Sequence, residues 1–172
     1  MPYLTQAKQE IQRPVSNLFV LLSIVVALVL NGLPWQGIWL AIRPDFVAVV
    51  LLYWCMHKPL RVGIGLSWVV GIFADVADAN LFGQHALAYT LLAFGGVVLH
   101  RRLQMFDVRQ QTSQVFGIFV LTYGVYALVH WQLNGYVVWS YFIGCVTSTL
   151  LWMPFSFMVR VIRQMNPKHK GS

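Results

Sequence analysis

The sequence predicts an all-α membrane protein of six transmembrane helices with both termini cytoplasmic, and three observations carry that prediction. Of 172 residues, 58% are hydrophobic and 10% charged, which leaves too little polar surface to cover a fold in water. The apolar residues gather into six stretches of about the length a helix needs to cross a hydrocarbon core of roughly 30 Å, about 20 residues with about 17 as a minimum. The charges, net +7, are sorted by which end of those stretches they occupy. Disorder is excluded by the same composition, since it needs low hydropathy and high charge. Cys55 and Cys145 both lie inside apolar stretches and read as small buried hydrophobes, not as a disulfide framework.

The first span, 17–33, carries no charge and ends in Asn31-Gly32-Leu33-Pro34-Trp35 with no small-x-small cleavage site, so it reads as an anchor and not a secretory signal. The second, about 42–56, is short and must borrow residues from Trp39 to Ile42. Its Pro44 suits a first helical turn, and Asp45 beside it favours a helix N-terminus. Spans three to five cover 62–77, 86–100 and 112–131, and the sixth runs over 139–162 with Pro154 as an expected kink. Residues 1–16 form a cytoplasmic N-terminus and 163–172 a basic cytoplasmic tail. The connectors are too short for a second domain, so 1–172 is a single membrane domain.

Charge position tests this count. Eleven basic residues against Glu10 and Asp107 fall on one side, +9, while Arg43 alone faces Asp45, Asp75 and Asp78 on the other, −2. The positive-inside rule makes the first side cytoplasmic. Removing the short second span would send Lys58 and Arg61 outside and invert everything after them, so the charges argue for keeping it. Trp35, Trp39, Trp131, Tyr136 and Trp139 then gather at the outer interface and Trp54 at the inner one.

Several residues do not belong in lipid. Gly63, Ser67, Gly71 and Asp75 recur every four residues on one face of span three, a small-residue seam that either packs internally or meets a partner helix. Ser23, Ala27 and Asn31 on span one, and Gly144 with Ser148 on span six, carry the same two readings. Asp75 stands apart, because an ionised aspartate within a span costs about 2.5–3.5 kcal/mol on insertion scales and is tolerated mainly when paired. It shares an outer layer with Arg43, Asp45, Asp78, Gln84, His85 and His130. Arg43, the lone cation there, is expected to pair with Asp75 or Asp78, and Asp75 to hold span two against span three. His85, His130 and Asp78 lack metal-ligand spacing, and no nucleophile elbow or phosphate loop is present, so no enzyme, metal or cofactor is predicted. The basic clusters are short, juxtamembrane and separated by spans; they suit anionic headgroups and exclude nucleic acid.

The order and spacing of several motifs resemble the MreD family of bacterial rod shape-determining proteins. Arg43-Pro44-Asp45-Phe46, an apolar run and Tyr53-Trp54 make up one block. Gly71-x-x-x-Asp75, seven residues and Gly83-Gln84-His85-Ala86-Leu87 make up the next, with Pro34-Trp35 and Trp152-x-Pro154 flanking them. The resemblance implies a non-catalytic inner-membrane scaffold of the cell-elongation complex. Its partners would be MreC directly and, indirectly, MreB, a SEDS glycosyltransferase and a class B penicillin-binding transpeptidase. It also implies a helical architecture similar to the S-component of energy-coupling-factor transporters. Because the outer loops are roughly ten residues or fewer, contact with MreC is expected to be mainly intramembrane. The alternative is a small-molecule transporter's substrate-binding subunit, or a protein that binds a lipid or cell-wall precursor in the outer polar layer.

Overall fold

The computed structural model describes residues 17–78, 83–105, 108–136 and 139–165. The expected N-terminal segment with Lys8, Glu10 and Arg13, the loop residue Asp107, and the tail with Lys168 and Lys170 lie outside them. The described residues form seven α-helices: α1 (Asn17–Asn31), α2 (Ile38–Ile42), α3 (Phe46–His57), α4 (Ile64–Ala77), α5 (Gln84–Met105), α6 (Val108–Asn134) and α7 (Ser140–Met165).

α1 buries Val20, Ile24, Ala27 and Asn31, a single stripe at helical spacing, against α3, and exposes Leu18, Leu22, Val25 and Val29 on its other face. Its C-terminus is closed by Gly32 N–H returning to the Leu28 carbonyl (2.9 Å) and by the Trp35 indole N–H donating to the Leu30 carbonyl (3.0 Å), which satisfies two of the carbonyls a helix end leaves orphaned.

The expected second span, 42–56, is divided in two. Pro44 disfavours the helical region for the residue before it, and Arg43 is accordingly extended at φ −58°, ψ 122°. Asp45 is extended as well, at φ −82°, ψ 93°, so Trp39 to Ile42 belong to a separate short helix and are not borrowed by α3. Ile38, Trp39 and Leu40 on α2 are exposed.

α3 is the axle of the bundle. Every residue from Val47 to Met56 is buried, with α1, α5 and α7 packed around it. A helix of 12 residues is only about 18 Å long, less than a bilayer core, and can be so short because protein, not lipid, surrounds it. This also corrects the expectation for Trp54: it is fully buried and not interfacial, its indole N–H donating to Ser23 Oγ at 2.8 Å. A helix enclosed on all sides leaves an indole nowhere to reach water, so the donor is satisfied from α1. Tyr53 meets Phe155 edge-on at 5.5 Å and Trp152 at 6.1 Å, which ties α3 to α7.

α4 lies closely along α5, α5 along α6, and α6 along α7. α7 continues unbroken through Pro154. The polarity of the bundle is inverted relative to a soluble protein. Ser67, Asp75, Thr122, Ser148 and Ser156 are inside, while Trp68, Phe73, Leu121, Leu128, Leu150 and Phe157 face out. That arrangement suits lipid as the surrounding medium. Two helical segments, Gln110–Gln132 and Ser140–Ile162, are long and apolar enough to cross a membrane; Asn17–Asn31, Phe46–His57 and Ile64–Ala77 are shorter apolar helices.

Candidate functional site: a buried polar layer at one end of the bundle

Six helices bring polar groups together where α1 and α4 end, α3, α5 and α7 begin, and α6 passes alongside. Two carboxylates organise this layer, each by accepting hydrogen bonds from a helix end.

Asp45 is the N-cap of α3, its Oδ1 accepting from Ala48 N–H at 3.0 Å. The same carboxylate gathers three neighbours. Asn31 Nδ2 donates to Oδ1 at 3.0 Å, the Tyr89 hydroxyl reaches both oxygens at 3.0 Å, and the Tyr126 hydroxyl reaches Oδ2 at 3.3 Å. Asn31 returns the bond, its Oδ1 accepting from Phe46 N–H at 3.1 Å. Asp45 N–H donates to Ser148 Oγ at 2.9 Å, and that hydroxyl in turn lies 2.9 Å from the Tyr123 hydroxyl. One residue thus joins α1, α3, α5, α6 and α7. Sequence reasoning marked Asp45 as a helix-start residue but missed the tyrosines. The available signal was their spacing: Tyr89 lies one turn beyond His85, and Tyr123 and Tyr126 share a face of α6.

Asp75 closes the second helix end. α5 starts with Gly83 before its first residue, at φ 101°, a conformation glycine adopts freely and other residues resist. Glycine has no side chain to cap the orphan amides of the first turn, so the cap comes from the neighbouring helix. Asp75 Oδ2 accepts from Gly83 N–H at 2.8 Å and from Ala86 N–H at 3.3 Å, and Oδ1 accepts from His85 N–H at 2.8 Å and lies 2.9 Å from His85 Nδ1. The expectation that Asp75 holds span two to span three is therefore corrected: it holds α4 to α5, spans three and four. The unsatisfied amides of a helix start are a stronger attractor for a carboxylate than a distant guanidinium.

Gly71 makes this capping possible. A Cβ there would lie 2.4 Å from Ala86 Cα and 2.7 Å from Ala86 N, so α4 and α5 touch backbone to backbone one turn below Asp75. Ser67 is fully buried on the same stripe, in contact with Cys55 Sγ at 3.7 Å, and Gly63 stands at the N-cap of α4. Ser23 and Ala27 likewise face α3. Gly144 faces Tyr123, whose ring carbon would come within 2.9 Å of an added Cβ. Gly63 apart, which is half-buried, these seams point inward.

Arg43 selects Asp78 over Asp75, at 3.8 Å, and donates through Nη1 to the Asn31 carbonyl at 2.7 Å, at the C-terminal end of α1. His85 Nε2 lies 3.7 Å from Asp78, so the imidazole spans Asp75 on α4 and Asp78 at its C-cap. Around these groups is a cavity of about 210 Å³ lined by Arg43, Asp45, Asp78, Gln84 and His85 together with Leu40, Tyr123, Tyr126, Ser140 and Tyr141. Asp75 lies outside that lining. His130 is set apart, its ring against Tyr136 and Tyr141. Among the described residues no group of three or more His, Cys, Asp or Glu side chains is arranged to hold a metal ion.

Comparison with known proteins gives a consistent assignment. The family described as rod shape-determining protein MreD matches residues 12–162. The chain is 29% identical over 156 residues to the rod shape-determining protein MreD of Haemophilus influenzae, covering 88% of this chain and 94% of that protein. No solved structure matches.

Proposed function

Since the chain belongs to the rod shape-determining MreD family, we propose that it is a non-catalytic scaffold subunit of the cell-elongation complex in the bacterial inner membrane. In this reading α1, α3, α4, α5, α6 and α7 are six membrane-crossing helices, similar in arrangement to a transporter S-component. Both termini are cytoplasmic and the polar layer lies toward the outer face. The separation of charge supports that orientation. Lys58, Arg61, Arg101 and Arg160 sit toward the end of the bundle opposite Arg43, Asp45 and Asp78, and cytoplasmic ends are the basic ones.

The observation that carries the scaffold reading is that Asp45 and Asp75 are occupied by helix-end amides, a carboxamide, an imidazole and tyrosine hydroxyls. Carboxylates so engaged hold helices together. The direct partner is the membrane span of MreC, and through it the MreB filament, the SEDS glycosyltransferase and the class B transpeptidase. With the seams of α1 and α4 turned inward, the contact falls on α6. There Gly117 and Gly124, two turns apart, have nothing within 4 Å of an added Cβ, and open small residues let a second helix approach closely.

Photo-crosslinking from position 116 or 120 in native membranes tests this. The expected product links to the membrane span of MreC. Crosslinks confined to MreC's soluble domain, or co-isolation of an ATPase module in place of elongation proteins, would overturn the reading. Cysteine labelling at Gly37, expected from the outer side only, tests the orientation separately.

A further inference from the structure

The cavity of about 210 Å³ in the polar layer goes beyond what a scaffold requires. At about 30 Å³ per water molecule it has room for about seven waters, the scale of an amino acid or a lipid headgroup. Its charged lining is not self-sufficient. Asp45 already holds four donors, so it contributes field and little free bonding capacity. That leaves one cation and one anion with bonding capacity to spare: Arg43, which holds the Asn31 carbonyl through Nη1 alone, and Asp78, whose contacts with Arg43 and His85 are long at 3.8 and 3.7 Å; they are 22% and 18% exposed. Charge-assisted bonds normally close to about 2.7–2.9 Å.

Gln84 is the second observation. It is 8% exposed and lines the cavity, and its carboxamide, with two donor hydrogens and an acceptor oxygen, makes no hydrogen bond with the described residues. Tyr126 and Tyr141, stacked on each other at 6.2 Å, also line the cavity, and electron-rich aromatic rings attract cations, ammonium groups included.

A simple anion would meet Asp45 and Asp78, and a simple cation would meet Arg43. A molecule carrying one charge of each sign satisfies all three. We propose that the cavity is a binding site for a small zwitterion, with Asp78 beside the Tyr126–Tyr141 pair taking an ammonium group and Arg43 and Gln84 taking an anionic group. The source is either a free solute of amino-acid size or the headgroup of an ethanolamine phospholipid, which share this chemistry. The inference rests on the cavity and not on the identity of the protein partner.

The test uses the full chain in nanodiscs of phosphatidylglycerol, titrated calorimetrically with glycerophosphoethanolamine, L-alanine, and the half-molecules ethanolamine and glycerol 3-phosphate. Saturable binding of at least one zwitterion is expected, about tenfold or more tighter than either half-molecule. Asp78→Asn should weaken it about tenfold, and Leu40→Trp, filling the mouth from an exposed position, should abolish it without lowering the melting temperature. Repeating the titration in phosphatidylethanolamine nanodiscs separates the sources: lost binding identifies the headgroup, and retained binding a free solute. Absence of saturable binding, half-molecules binding as well as the zwitterions, or a Leu40→Trp variant that binds normally would overturn the proposal.

Discussion

Replacing Gly71 with alanine adds a single methyl group, and the structure says where it goes. The new Cβ would lie 2.4 Å from Ala86 Cα and 2.8 Å from the His85 carbonyl carbon, both backbone atoms that cannot turn aside. Restoring ordinary contact at about 3.6 Å means parting α4 and α5 by about 1.2 Å. One turn away, three amides and an imidazole bond to Asp75 at 2.8 to 3.3 Å, and a shift of that size stretches them beyond bonding distance. Overpacking costs about 1–3 kcal/mol, and weakening charged bonds in a buried site about 1.5–3 kcal/mol. Against this, alanine gains about 1 kcal/mol over glycine inside a helix. The net expectation is a loss of about 2–4 kcal/mol, read as the unfolding free energy of the purified protein in mixed micelles titrated with SDS. If the damage runs through Asp75, the substitution should cost about 1–2 kcal/mol less in an Asp75→Asn background. A loss under about 0.5 kcal/mol, or strict additivity with Asp75→Asn, would refute the account.

Gly117→Ala is expected to have the opposite sign in the same assay, a gain of up to about 1 kcal/mol, because open space surrounds that position; co-purification with MreC should fall at the same time. Asp75→Asn keeps an acceptor oxygen but turns an NH₂ group toward amide donors, so a loss of about 2–4 kcal/mol is expected by SDS titration. Ser23→Ala should cost about 1–3 kcal/mol by removing the hydroxyl that accepts from the buried Trp54 indole N–H. Trp54→Phe combined with Ser23→Ala should show a coupling of about 1 kcal/mol or more in a double-mutant cycle. Val25→Leu on the exposed face of α1 should change stability by less than about 0.5 kcal/mol.

The features legible in the sequence were those that violate a lipid environment. Asp75 stood out because a carboxylate in an apolar helix demands a partner, and the charge asymmetry fixed which residues shared a layer. What stayed hidden was choice among near neighbours. Asp75 and Asp78 are less than one turn apart, so nothing in their spacing tells which one Arg43 meets. The absence of a capping side chain at Gly83 was a readable sign that a cap must come from elsewhere, and only Asp75 and Asp78 were close enough to supply it. Tyr89, Tyr123 and Tyr126 were masked by their context, since tyrosine in an apolar run reads as bulk until a buried acceptor gives its hydroxyl a purpose. The break between α2 and α3 was mistaken for continuity because Pro44 fits both a helix start and a helix interruption.

The hydrogen-bond partners of Asp45 are spread along the chain, and this has a consequence for how the protein is made. Asn31 precedes the aspartate by 14 positions, but Tyr89, Tyr126 and Ser148 follow it by 44, 81 and 103. In the proposed membrane topology, a nascent chain that has released only α1 to α4 holds a carboxylate with Asn31 and its own helix start as partners, and neither Tyr89 nor Tyr126. Ribosome-bound or truncated fragments ending before α5 should thus linger beside the insertion machinery or be taken by membrane proteases. In that topology the burial of one carboxylate marks the completion of synthesis.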